Sequence, residues 1–157
     1  MVAGPPLPQG DNSVRRLAEA LESLDADAKR TVALAHGEAF RYASDVISSA
    51  HLLLGLMAVD PAPVTAEMPG HEQLLSERIR IQLELYMGAW GQSPARIVHL
   101  AYTPHARAIL INAAAHAQQV QSASTTPAHL WLALRTAEGC LATRTLKALH
   151  LLGAQPS

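Results

Sequence analysis

One phrase occurs twice in this chain. Residues 48–57 read SSAHLLLGLM and residues 126–135 read TPAHLWLALR. With His51 set on His129, residues 25–57 lie on 103–135 without a gap, and nine of those 33 positions are identical. Ala28, Ala35 and Ala39 return as Ala106, Ala113 and Ala117, which places small residues at i, i+7 and i+11 in the same register. Small residues at that spacing let a second helix approach closely. The duplication therefore predicts a helix–loop–helix unit used twice, each copy burying its apolar face on the other.

A short apolar run is either a strand or a buried helix, and periodicity alone does not separate the two. The repeated phrase uses Leu and Ala rather than β-branched residues, which favours helix. Ser48 stands where an N-cap belongs, and Thr126-Pro127 is the N-cap and N1 pair of a helix start. Leu on all sides predicts a helix buried over most of its surface. Upstream, Ser13 is the expected cap of a helix over about 14–24, with Val14, Leu17, Leu21 and Leu24 on one face. Asp25 is the expected cap of the next, about 26–43, with Ala28, Val32, Ala35, Ala39 and Tyr42 inward. Residues 59–70 hold three Pro and one Gly and read as a loop. Residues 71–88 read as an amphipathic helix and 89–102 as a connector. Thr103-Pro104 opens a helix over about 104–121, with Ala106, Leu110, Ala113, Ala117 and Val120 inward. A last helix is expected near 138–152, closed by Gly153. No stretch reads as a convincing strand. The expected fold is all-α, two pseudo-symmetric helical repeats in one compact domain. Residues 1–12, with three Pro and two Gly, are expected as a disordered tail ahead of a domain at 13–157. Repeat one covers about 24–88 and repeat two about 102–153.

The totals restrict the role. The formal net charge is −1, which gives no electrostatic footing for nucleic acid or an anionic membrane. Ten of the 12 basic residues are Arg, the side chain suited to bidentate contacts. One cysteine, Cys140, makes no internal disulfide, and a reducing compartment is expected. The first residues lack the basic and apolar regions of a signal peptide, and no apolar run approaches the ~20 residues of a membrane span. The expectation is a cytoplasmic protein, monomeric, with no cofactor.

The two copies, with "HLAYTPHARAILINAAAHA" and "AEGCLATRTLKALHLLG", resemble the Clp N-terminal repeat domain, the helical module at the front of ClpA- and ClpC-type AAA+ unfoldases. The ClpC type is the nearer. The family pattern is an aromatic-Thr-Pro-x-Ala start, Ala every few residues, Glu-His-Leu-Leu-Leu, then Glu-Gly and Ala-x-x-x-Leu. The resemblance covers about 24–57 and 99–153 and is weak between them. It implies a non-enzymatic module that binds peptides, adaptor proteins or cyclic-peptide antibiotics, and so modulates Clp-dependent degradation as a decoy, an adaptor or a sequestering protein. A Clp unfoldase is itself an implied partner. No G-x-x-x-x-G-K-[ST] is present, so ATP hydrolysis by that route is excluded and a stand-alone module is expected.

The resemblance also assigns sites. In ClpC-like domains a Glu before the repeated His, with the Thr that starts each repeat, forms pockets for phosphoarginine-tagged substrates. Here the pairs are Asp25 with Ala50 and Thr103 with Ala128, so both pockets lose their Glu and the first gains a carboxylate that repels phosphate. The residues matching the family's cyclic-peptide surface are Leu21, Tyr102 and Arg107. Tyr102 also has a structural reading, as a hydrophobic staple on the helix that Thr103 caps.

Among the eight histidines, His51 and His129 stand at N3, where an imidazole can bond back to the N-cap amide. The histidines carry the one alternative reading, a His-rich metal-binding or small enzymatic protein. No H-E-x-x-H and no paired Cys supports it. Cys140 reads as a buried inert thiol on the last helix. Arg78 and Arg80 read as the solvated face of theirs.

Overall fold

The computed structural model describes residues 9–42, 44–66, 72–87 and 101–151. Its elements run α1 (Gln9–Glu22), α2 (Ala26–Arg41), β1 (Val46–Ile47), α3 (Ser49–Val59), α4 (Ala62–Thr65), α5 (Glu72–Met87), β2 (Ala101–Tyr102), α6 (Pro104–Gln119), α7 (Pro127–Thr136) and α8 (Leu141–Ala148). The fold is helical, as the duplication predicts.

The caps of α2, α3, α6 and α7 fall where the sequence puts them, whereas Ser13, expected to cap the first helix, stands inside α1. Asp25 Oδ1 accepts the Ala28 amide at 2.8 Å and starts α2. Thr103 Oγ1 accepts the Ala106 amide at 3.1 Å and starts α6. Ser48 and Thr126 head α3 and α7, each in a capping box whose N3 residue is the repeated histidine. The small-residue stripes do what their size permits. Ala28, Ala35 and Ala39 are buried where α2 packs on α3, and Ala106, Ala113 and Ala117 where α6 packs on α7. Helix α5 turns Leu75, Ile79 and Leu83, four residues apart, into the core and packs on α8. Each buried Leu or Ile is worth roughly 1.5–3 kcal/mol of transfer free energy.

The halves interlock through a crossed pair of backbone junctions. The strands β1 and β2 are parallel, with Val46 opposite Ala101 and Ile47 opposite Tyr102. The Thr103 amide, just beyond β2, donates to the Ile47 carbonyl at 3.0 Å. The counterpart, 78 residues away on each side, is a bridge from Leu24 to Thr125, where the Asp25 amide donates to the Thr125 carbonyl at 2.9 Å. So the segment entering the first helix of each repeat pairs with the segment entering the second helix of the other. Smaller details repeat as well. Ser44 and Ser122 hydroxyls donate to the carbonyls of Val46 and Ser124, both at 2.7 Å.

Several expectations are corrected. Helix α1 begins at Gln9, so it takes in residues 9–12, expected as part of the tail; residues 1–8 lie outside the described residues. The stretch read as a loop contains α4, one turn started at Pro61. Two-residue strands exist where none was expected, because each supplies the backbone partner that a helix start otherwise lacks. Val120 ends α6 at 68% exposure rather than packing inward. Helix α8 starts at Leu141, because Gly139 has φ 79° and breaks the run; Cys140 is its N-cap and not a helical residue. The chain turns away from α8 at His150, with φ 58°, while Gly153 lies outside the described residues.

The second copy of the opening phrase is less buried than the first. Every residue from Ser49 to Met57 is buried in α3, which packs with α2, α5, α6, α7 and α8. In α7, Ala128 is exposed and Leu132 is 47% exposed. Helix α3 is the central element and α7 an outer one.

Candidate binding seam between α1 and α6

Helix α1 lies on α6. Its inward face carries buried Ala20, with Leu17 and Leu21 half-buried against the core. Below it, Ser23 is tied to the second repeat, its hydroxyl 2.7 Å from Thr125 Oγ1 and its carbonyl accepting the Thr125 amide at 2.8 Å. These ties fix the angle at which α1 meets α6.

Two cavities open along that seam. The larger, about 270 Å³, is lined by Arg16 from α1 and by Pro104, Arg107, Ala108, Ile111 and Asn112 from α6. The smaller, about 130 Å³, shares Arg16 and Ile111 with it and continues along both helices past Glu19, Ala20 and Ala114. Positions 104, 107, 108, 111 and 112 follow helical spacing, so one face of α6 makes the floor. Pro104, Ala108 and Ile111 are the apolar part of the lining, and Arg16 and Arg107 are its basic residues. Among the described residues that line the larger cavity there is no carboxylate.

The three residues expected at a ligand surface are placed differently from one another. Arg107 lines the larger cavity, half-buried. Leu21 turns toward the core and lines neither cavity. Tyr102 also lines neither. Its ring meets His36 of α2 edge-on with centroids 6.0 Å apart, and its hydroxyl lies 3.4 Å from His36 Nε2. Loss of water around each ring raises the Tyr102 pKa and lowers that of His36, which stays largely exposed. The contact with His36 joins the repeats. The seam brings in a residue that the sequence reading passed over, Arg16. Its signal was its place beside Leu17 and Leu21 on an amphipathic helix, at the edge of the apolar stripe.

The positions matching phosphoarginine pockets are otherwise engaged. Asp25 and Thr103 spend a side-chain oxygen on their helix caps, and Ala50 is fully buried while Ala128 is exposed. His51 Nδ1 accepts the Ser48 amide at 2.9 Å, and His129 Nδ1 accepts the Thr126 amide at 3.0 Å. With Nδ1 accepting, the neutral ring holds its proton on Nε2. Burial lowers the His51 pKa to about 4, a fall that the Glu38 carboxylate partly opposes. Among the described residues no three His, Cys, Asp or Glu side chains gather in a metal-binding arrangement. Among them, too, no helix is long and apolar enough to cross a membrane.

A second polar cluster lies on the far side of α2. Arg80 of α5 donates to both carboxylate oxygens of Glu38 at 2.8 Å and to the Tyr42 hydroxyl at 2.7 Å. Tyr42 in turn donates to Glu84 at 2.6 Å. Arg80 is therefore a brace between α2 and α5, not the solvated residue its helix position predicts.

No protein-family model matches the sequence, and no curated protein matches it. Solved structures do match. One is the N-terminal domain of the caseinolytic protease associated chaperone ClpD from Arabidopsis thaliana. It superposes with a TM-score of 0.64 over 83% of this chain and 89% of that one, at 20% sequence identity. The duplicated capping pattern and this superposition agree: the chain has the fold of a Clp N-terminal domain.

Proposed function

We propose that this chain is a non-catalytic binding module that takes a peptide segment, an adaptor protein or a cyclic peptide in the seam between α1 and α6. Bound there, the ligand is withheld from, or delivered to, a cytoplasmic Clp unfoldase. One observation carries the reading: a cavity of about 270 Å³ lined by Pro104, Ala108 and Ile111 together with Arg16 of α1 and Arg107 of α6. Apolar concavities with a few placed polar groups are the usual form of a small-ligand or peptide site. The alternative, a His-based metal or enzymatic role, has less to recommend it, because His51 and His129 are engaged as helix caps.

The test is the thermal midpoint of wild type, Arg107→Ala and Tyr102→Ala, with and without cyclic peptides that bind Clp N-domains. A ligand at 100 times its dissociation constant adds ~2.7 kcal/mol, a rise of roughly 5–10 °C at this chain length. A rise in wild type that Arg107→Ala abolishes supports the seam. A rise abolished only by Tyr102→Ala moves the site to the Tyr102–His36 contact. No rise in any of the three removes the cyclic-peptide role.

A further inference from the structure

We infer that the outer face of α2 is a second docking surface, and that it takes an acidic amphipathic helix supplied by a partner protein. The two repeats differ in how this face is covered. In repeat two α1 lies over α6, where Ala20 and Ser23 line one cavity with Ile111, Ala114, Ala115 and Gln118. The 78-residue offset carries those four α6 positions onto Ala33, His36, Gly37 and Phe40 of α2. Their spacing of i, i+3, i+4 and i+7 makes one continuous helical stripe. All four are exposed, Phe40 at 64%, and Leu34 beside them at 39%. A Cβ added at Gly37 meets no atom within 4 Å, so Ala33 and Gly37 leave room for another backbone to come close. The face that carries a helix in one repeat is open in the other.

Charge selects the occupant. The charged side chains on that face are Lys29, Arg30 and Arg41, all basic and all exposed. Lys29 stands one turn before Ala33, and Arg30 and Arg41 flank the stripe. Arg30 reaches Asp27 at 4.0 Å, with both side chains more than half exposed, a weak tie that a partner's carboxylate can replace. The Glu38 carboxylate is held by Arg80 of α5. A second copy of this chain suits the face poorly. Two α2 helices paired antiparallel set Lys29 and Arg30 of one copy against Arg41 of the other, and paired parallel they set each cation against itself; like charges across an interface cost free energy. A helix with Leu along one stripe and Glu beside it meets both the apolar strip and the cations. Helix α1 already docks on α6 through such a stripe, with Ala20 buried and Leu17 and Leu21 half-buried.

This surface belongs to the other repeat from the seam floor and does not require that the seam bind anything.

Three acetylated and amidated peptides test it: ELAELLEELAELLE, its twin KLAKLLKKLAKLLK, and LLLEEELLLEEEAA, whose leucines circle the helix instead of forming a stripe. Binding is followed by amide chemical shifts on full-length protein at low ionic strength. The expected result is that the acidic stripe peptide shifts Ala33, Gly37 and Phe40 and binds about ten-fold tighter than either control. Phe40→Gln should weaken it about ten-fold and Arg41→Glu about three-fold. Both positions are exposed, so the fold is retained. Equal binding of the basic twin overturns the acidic partner, and equal binding of the rearranged peptide overturns the helix. Shifts confined to Ala108 and Ile111 place the peptide in the seam and overturn the α2 surface, as does no binding at all. Sedimentation covers the second copy: a dimer that Phe40→Gln dissolves overturns the proposal. So does a Phe40→Gln spectrum that, without peptide, moves the amides of residues 88–100, which gives the face to the chain's own connector.

Discussion

Gly55 of α3 lies directly against the carbonyl of Thr31 on α2, and a Cβ built on it would collide with that oxygen and stand 3.3 Å from the Ala35 amide nitrogen. Helix α2 crosses α3 at this point, and the contact is backbone to backbone. Gly37, on the exposed side of α2, has nothing within 4 Å of the same added atom. The two glycines therefore respond oppositely to one substitution. Gly37→Ala should stabilise by roughly 0.5–1 kcal/mol, the usual gain for Ala over Gly in a helix. Gly55→Ala should destabilise by ~1–3 kcal/mol, because overpacking outweighs that gain. Urea unfolding of both variants measures the difference, and a stabilised Gly55→Ala would show that the crossing relaxes.

The brace between α2 and α5 makes a second prediction. Arg80 holds Glu38 by two parallel bonds, with the side chains 29% and 18% exposed. Glu38→Ala removes the bidentate partner and should cost ~1–2 kcal/mol, more than a fully exposed pair would. Arg80→Lys keeps the charge and loses the fork, so it should recover only part of the wild-type midpoint.

Acid should weaken the fold through His51. The unfolded chain takes up a proton near pH 6.5, whereas the folded ring resists until about 4. Between those values the unfolded state binds more protons, so stability falls as pH falls. The loss starts below 6.5, is complete below about 4, and reaches roughly 3 kcal/mol. Glu38 is held below its ordinary value mainly by its hydrogen bond to Arg80, so its own loss comes below pH 4.5. His51→Gln keeps a side chain able to bond the Ser48 amide but does not titrate. Its stability should slope less than that of wild type from pH 6.5 to 5, the remainder coming from His36, whose pKa is also lowered.

Cys140 is 1% exposed, and its Sγ lies 3.4 Å from the Ala137 carbonyl and from Thr143 Oγ1. A thiol reagent should find no reactive group in the native protein and one in denaturant. Cys140→Ser, close in shape, should leave the midpoint within about 1 °C of wild type if the hydroxyl keeps both contacts.

The sequence made the two helix pairs legible because duplication marks them twice. Asp25, Ser48, Thr103 and Thr126 announce helix starts, and Ala28, Ala35 and Ala39 reappear as a second stripe. The helix ends were harder to see. Gln121 and His150 hold positive φ without being Gly, after which the amides of Ser122 and Leu151 return to Ala117 and Leu146 at 2.8 Å. Buried Leu151 secures the second of these turns, a tertiary contact that no local residue type signals. The seam was half legible. Arg107 lies in the well-patterned repeat, but Arg16 gains its place only when α1 folds onto α6, a packing event between distant segments.

The crossed junctions have a consequence for how such a chain is divided. A single repeat cut from it would leave the Ile47 or the Thr125 carbonyl without the amide that now completes it, and would expose the helix face that the other half covers. A second identical copy supplies both, since each repeat offers the donor and the acceptor that its counterpart lacks. The two helix pairs are thus joined as a pseudo-symmetric dimer would be, with a peptide linker in place of association: the linkage removes the concentration dependence of the pairing, and leaves each half free to change its surface while its twin holds it folded.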